Sequence, residues 1–173
     1  LNKQFGVFKF VVVVPSLSIK AGTVNFLKSE SARQHFKEHY GKTITLHVVE
    51  SKAKKKNKKE TLPPAVSTFV NAGTFDKNTI QVLLINQGMV NAPTMQKEFD
   101  TSFFDKYSMP FQAIAAMRPF MIIDEPHKFK NDNKTWSNIQ KMQPQIILRY
   151  GATFPEKEYK VSDPQNPKKK LKK

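Results

Sequence analysis

No cysteine occurs anywhere in the 173 residues, so disulfides, Cys-ligated zinc and thiol catalysis are excluded. A cysteine-free chain is compatible with a reducing cytoplasm. No apolar run is long enough to span a bilayer, and the N-terminus lacks the charged and apolar pattern of a signal peptide. Acidic residues are scarce, 14 against 29 basic ones, and the formal net charge is +15. No internal repeat is visible. The chain opens on Leu1, partway into a pattern, which points to an excised piece of a longer protein.

What is present is a soluble globular composition, 39% hydrophobic and 25% charged, with room for one domain around one core. The excess charge invites a nucleic-acid reading, but its distribution is uneven. Lys52, Lys54, Lys55, Lys56, Lys58 and Lys59 form one run, and Lys168, Lys169, Lys170, Lys172 and Lys173 another. These eleven lysines leave only +4 for the remainder. Blocks of like charge repel one another and are usually solvated loops or tails. They still add a salt-sensitive attraction to phosphate that is blind to sequence.

Short apolar runs that end in turn signals predict five buried strands, at 8–14, 43–49, 79–85, 120–123 and 145–148. Most lack polar alternation, as in sheets covered by helices on both faces. Helices are predicted over 22–39, 111–117 and 131–142, the second begun by Pro110 and the third stopped before Pro144. Strand alternating with helix implies a doubly wound α/β domain with a mainly parallel sheet. The lysine loop 51–62 and the tail after Tyr159 are low-complexity connectors.

In such sheets ligands bind beyond the carboxyl ends of the strands, so polar chemistry is expected just after each strand. Met121-Ile122-Ile123-Asp124-Glu125-Pro126-His127 meets that demand most clearly. Adjacent carboxylates at a strand's end suit phosphoryl transfer, which needs an aspartate for Mg²⁺ and a neighbour to orient the attacking water. An exposed Asp-Glu turn after a buried strand is the plain alternative. After the first strand, Pro15, Ser16, Ser18 and Lys20 lead into a helix whose amides can hold a DNA phosphate. An ordinary loop with capping serines explains that stretch equally well. Arg149-Tyr150-Gly151-Ala152-Thr153 closes the last strand with small residues that permit close packing beside the carboxylates. Asn86 and Gln87 end the third strand with amides able to touch a DNA backbone.

Taken together and in order, P-S-L-S-I-K-A-G, L-L-I-N-Q-G-M, R-P-F-M-I-I-D-E-P-H-K-F and L-R-Y-G-A-T-F resemble motifs Ia, a motif Ib/Ic-like strand end, II and III of superfamily-two helicases. The D-E-P-H form, the upstream A-M-R-P-F and the G-A-T-F ending resemble the versions in the endonuclease subunit of type III restriction enzymes. The likeness spans roughly residues 5 to 155. It implies a RecA-like three-layer α/β domain over 1–155, incomplete at its N-terminal edge, and a basic tail or linker over 156–173. It also implies that Asp124 holds the Mg²⁺ of Mg-ATP, that Glu125 activates the water, and that His127 couples the nucleotide state to Gly151, Ala152 and Thr153. Pro15, Ser16, Lys20, Asn86 and Gln87 would lie near the DNA. Implied partners are double-stranded DNA, a methyltransferase subunit that recognises the site, and a second RecA-like domain, all in a bacterial cytoplasm. A non-enzymatic basic DNA-binding module, or the motor of another superfamily-two helicase such as a type I restriction translocase, remain the alternatives.

One departure from the family pattern is decisive for activity. A phosphate-binding loop Gly-x-x-x-x-Gly-Lys-Ser/Thr is missing from the sequence. Gly41-Lys42-Thr43 has Phe36 where the first glycine should be and precedes a strand, so it reads as a decoy. The 173 residues alone are therefore expected to be inactive. Glu158 and Lys160 superficially resemble a nuclease ending, without a matching upstream aspartate. His35 and His39 have helical i, i+4 spacing but no third metal ligand, and His47 reads as a strand histidine at the surface or satisfied in the core. Trp136 reads as a packing residue, and Phe103 and Phe104 as core or partner-facing ones.

Overall fold

The computed structural model describes residues 1–51, 62–73, 78–99, 107–129 and 134–151, together with the backbone of 160–163 and 166–172. Its centre is a five-stranded sheet of β1 (Lys9–Val14), β2 (Thr43–Val48), β3 (Thr79–Asn86), β4 (Phe120–Asp124) and β5 (Ile146–Tyr150). The strand order is β2-β3-β1-β4-β5, and each neighbouring pair is parallel. The five predicted strands are therefore all present, and the parallel α/β expectation is met.

Among the described residues seven α-helices accompany the strands, α1 before the first and the others between them: α1 (Asn2–Phe5), α2 (Leu17–Lys28), α3 (Glu30–Tyr40), α4 (Pro64–Asn71), α5 (Gln87–Val90), α6 (Pro110–Ala116) and α7 (Lys134–Lys141). One sheet face presents Val11, Val13, Leu83, Ile85, Met121 and Ile123, which join Val66, Phe69, Phe111, Ile114, Ile139 and Met142 in the main core. The other face presents Phe10, Val82 and Phe120, against which Leu27 of α2 packs. The strand pleat sends alternate valines of β1 to opposite layers, so an unbroken apolar run serves both. Each fully buried valine, leucine or isoleucine contributes about 1.5–3 kcal/mol.

Two differences from the sequence reading have local causes. The helix predicted over 22–39 is two helices, because the chain turns extended at Ser29 (φ −64°, ψ 148°). The Ser29 hydroxyl then accepts from the Ala32 amide at 3.2 Å and caps α3. The first of the pair also starts earlier, at Leu17, with the Ser16 hydroxyl accepting from the Ile19 amide at 3.2 Å. The second difference is α4, which the sequence reading omits. Its Val66, Phe69 and Val70 form an i, i+3, i+4 stripe into the main core, behind Pro64 in the first turn. That stripe was there to be found, overshadowed by the adjoining lysine run.

Gly41 takes the left-handed conformation (φ 60°) and ends α3, and Thr43 begins β2. Gly41-Lys42-Thr43 therefore lies at the amino edge of the sheet, opposite the Asp124 end of β4. In the C-terminal region the backbone of β6 (Lys160–Asp163) pairs antiparallel with β7 (Asn166–Lys172). The lysine run 52–59, Phe103, Phe104, Asn131, Asn133 and Glu158 lie outside the described residues.

Candidate functional site

Parallel pairing brings the strand ends into one row. Val14 of β1 pairs with Asn86 of β3, Asp124 of β4 pairs with Tyr150 of β5, and Val13 with Ile123 sets the offset between the two pairs. With strands about 4.8 Å apart, the row from Asn86 to Tyr150 is about 14 Å long. Pro15, Ser16, Gln87, Glu125 and Gly151 follow immediately, so the predicted residues of four separate segments share one edge.

The carboxylate end is tightly built. Glu125 sits in the left-handed region (φ 51°, ψ 60°), which few side-chain-bearing residues adopt, and Pro126 follows it directly. Such strain costs about 1–3 kcal/mol and persists only where surroundings enforce it. Here the Glu125 amide donates to the Tyr150 carbonyl at 2.7 Å, and the Lys128 amide donates back to the Glu125 carbonyl at 3.0 Å. Asp124 continues the strand, half-buried, while Glu125 turns aside, so the two carboxylates leave the strand on different headings. His127, in the 3-10 turn Pro126–Lys128, brings its Nδ1 to 3.1 Å from the Glu125 carboxylate. Nδ1 nevertheless makes no hydrogen bond of good geometry, so the contact is a close approach and not a fixed link. Gly151 closes the site from β5, and Ala152 and Thr153 lie outside the described residues.

The other half of the row is more polar than charged. Ser16 is half-buried and uses its hydroxyl to cap α2. Leu17 and Ser18 in the first turn are exposed. Lys20 departs from the expectation that it faces DNA. Its ammonium is buried and donates to the Val49 carbonyl at 2.5 Å, beyond the end of β2. Burial holds its pKa below the ordinary lysine value, and the negative charge of Glu50 partly offsets that. Asn86 is also buried, and its Oδ1 has no partner among the described residues. Gln87 donates through Nε2 to Thr135 Oγ1 at 3.2 Å, a link to α7 that the sequence reading missed.

Three histidines lie away from this edge. His47 contacts Thr68 Oγ1 at 2.9 Å and Gln81 Oε1 at 2.8 Å, which satisfies both ring nitrogens. His35 and His39, both exposed on α3, have ring centroids 4.7 Å apart and planes tilted by 47°, and no cluster of three metal-ligating groups occurs among the described residues. Trp136 packs on the main core beneath the Arg149 guanidinium, 4.3 Å from its ring centroid.

The parallel five-stranded sheet covered by helices, with an Asp-Glu pair at its carboxyl edge, has the α/β character of a RecA-like domain. The sequence model for "Type III restriction enzyme, res subunit" matches residues 1–156, and the chain belongs to that family. It is 49% identical over 158 residues to the Res subunit of the type III restriction-modification enzyme EcoP15I of Escherichia coli. It is likewise 49% identical to the EcoPI Res subunit of Escherichia phage P1, and 42% identical over 161 residues to the StyLTI Res subunit of Salmonella typhimurium strain LT2. Each alignment covers 90% of this chain and 16% of the relative, so the chain spans about a sixth of their length.

Proposed function

We propose that this domain is part of the ATP-driven DNA motor of a type III restriction endonuclease, acting on double-stranded DNA in the bacterial cytoplasm. The observation that carries the reading is the fixed Asp124-Glu125 step at the end of a buried parallel strand, with Glu125 held in a strained turn by Tyr150. Asp124 offers hard carboxylate oxygens at the end of a rigid strand, a donor that fits Mg²⁺. Mg-ATP, when bound, supplies a γ-phosphoryl group for transfer to water.

Asp124 holds the metal, and Glu125 accepts a proton from the attacking water. His127, 3.1 Å from Glu125, couples that carboxylate to Gly151, Ala152 and Thr153, which follow β5 in the sequence. Pro15, Ser16, Asn86 and Gln87 border the DNA track, where the exposed first turn of α2 offers amides to a backbone phosphate. Lys20 has a positioning role: its buried ammonium donates to the Val49 carbonyl and fixes the end of β2. The β- and γ-phosphates need a cradle that these residues do not supply. A second RecA-like domain and a methyltransferase subunit complete the working enzyme.

The deciding experiment is Glu125→Gln in the full-length protein. DNA-stimulated ATP hydrolysis should fall by about 100-fold or more, as expected on loss of a general base, with ATP binding retained. Retained turnover would remove Glu125 from the chemistry and with it the basis of the reading.

A further inference from the structure

Thr135 and Asn138 are 2% and 1% exposed, the least exposed polar side chains among the described residues. They stand three residues apart on α7 and so share one face of it. Thr135 Oγ1 accepts from Gln87 Nε2 at 3.2 Å and from Asn91 Nδ2 at 2.7 Å. Asn138 Nδ2 donates to Asn91 Oδ1 at 3.1 Å and to the Val90 carbonyl at 3.3 Å. Lys141 closes the network, donating to Asn138 Oδ1 at 3.0 Å and to Gln96 Oε1 at 2.9 Å. Apart from Lys141, the partners come from residues 87–96, the segment that directly follows β3.

Packing alone does not require this arrangement. Burying a hydroxyl and an amide is costly unless each is paired, and an apolar pair of the same shape would hold α7 about as well. A connected polar network instead fixes one register between the segments it joins, since a slip leaves several buried groups unpaired at once. The opposite attachment of α7 is next in sequence. Trp136 lies under Arg149 of β5, the residue before Tyr150, whose carbonyl holds the Glu125 amide. One short helix thus grips the Gln87 end of the row and the strand that fixes Glu125. The two strands it links, β3 and β5, are separated in the sheet by β1 and β4.

We propose that α7 is a coupling strut, and that Thr135 and Asn138 are positioning residues through which DNA held near Gln87 alters the setting of the Glu125 site. The inference rests on the motor reading above. It assigns neither residue a contact with nucleotide or DNA.

The test compares Thr135→Val and Asn91→Leu with wild type in the full-length protein. Thr135→Val removes the shared acceptor without changing shape, and Asn91→Leu breaks the same network from its half-buried rim. Each should keep DNA-independent ATP turnover and the half-stimulating DNA concentration within about twofold, while the DNA-stimulated kcat falls about tenfold. Thr135→Ser, which restores the hydroxyl, should recover the stimulation. Full stimulation in either folded variant overturns the strut. So does an equal loss of basal and stimulated turnover, the mark of a merely structural role. Should Thr135→Val fail to fold, Asn91→Leu carries the comparison alone. Wild type that hydrolyses no ATP overturns the motor reading itself, and the strut with it, and is thereby distinguished from failure of the strut alone.

Discussion

A β-carbon on Gly151 would lie 2.8 Å from Cδ of Pro126 and 3.6 Å from the Glu125 α-carbon, closer to the proline than such atoms ever approach. Glycine at the end of β5 is what lets that strand seat against the turn carrying the second carboxylate. Proline's ring is rigid and cannot yield, so a larger residue must displace the turn itself.

Gly151→Ala should accordingly be a functional lesion more than a stability lesion. Overpacking at one contact costs about 1–3 kcal/mol. A shift of the Glu125 carboxylate by less than an ångström is enough to lower kcat by about 100-fold. Parallel measurement of thermal unfolding and stimulated ATP turnover decides the matter, and unchanged turnover in the alanine variant would refute the close-packing argument.

Glu125 presents the converse case. Its left-handed backbone suits glycine, and its contact with His127 is partly exposed, so little is lost with the side chain. Glu125→Gly is expected to raise the stability of this domain by about 1 kcal/mol while abolishing turnover. Denaturant midpoints of the glycine and alanine variants separate backbone strain from side-chain loss, because only glycine relieves the strain.

The burial of Lys20 makes a distinction that DNA binding can read. Lys20→Met leaves the Val49 carbonyl without its donor and should destabilise the domain by about 1–3 kcal/mol. The slope of DNA affinity against salt should not change, since that slope counts neutralised phosphates. Deleting residues 52–59 should flatten the slope if that lysine run touches DNA. A shallower slope for Lys20→Met would mean that its ammonium does reach a phosphate.

Lys9 gives the pH dependence its sign. It is buried at the start of β1, donating to the Val70 carbonyl at 2.8 Å and lying 5.5 Å from the Phe69 ring centroid. Burial lowers its pKa below the ordinary 10.5. Between the lowered value and 10.5 the unfolded chain binds more protons, so this residue's contribution to stability rises with pH there. Below the lowered value its cost is constant. Lys9→Met removes that cost together with the donor to the Val70 carbonyl, so its stability relative to wild type should decline as pH climbs towards 10.5. Urea midpoints of the two proteins across that range check it, and parallel curves would exclude Lys9 as the titrating group.

The sequence by itself determined the five strands, their parallel class and the edge at which the polar residues after them gather. Apolar runs such as Val11–Val14 and Met121–Ile123 are short, rich in β-branched residues and stopped by proline turns, which fits a strand covered on both faces with polar residues at its end. The decoy status of Gly41-Lys42-Thr43 was legible too, because Phe36 stands where the first glycine should be and a strand, not a helix, follows. Tertiary structure alone decided the direction of each side chain. Nothing local distinguishes Lys20, folded inward onto Val49, from a lysine facing solvent, since its place depends on a carbonyl 29 residues away. The strain at Glu125 and the closeness of Gly151 to Pro126 likewise arise between strands whose register pairing sets. The α7 network is the clearest instance: Gln87 and Thr135 are 48 residues apart, and only the packing of α7 against α5 makes two ordinary polar side chains into one part-buried contact.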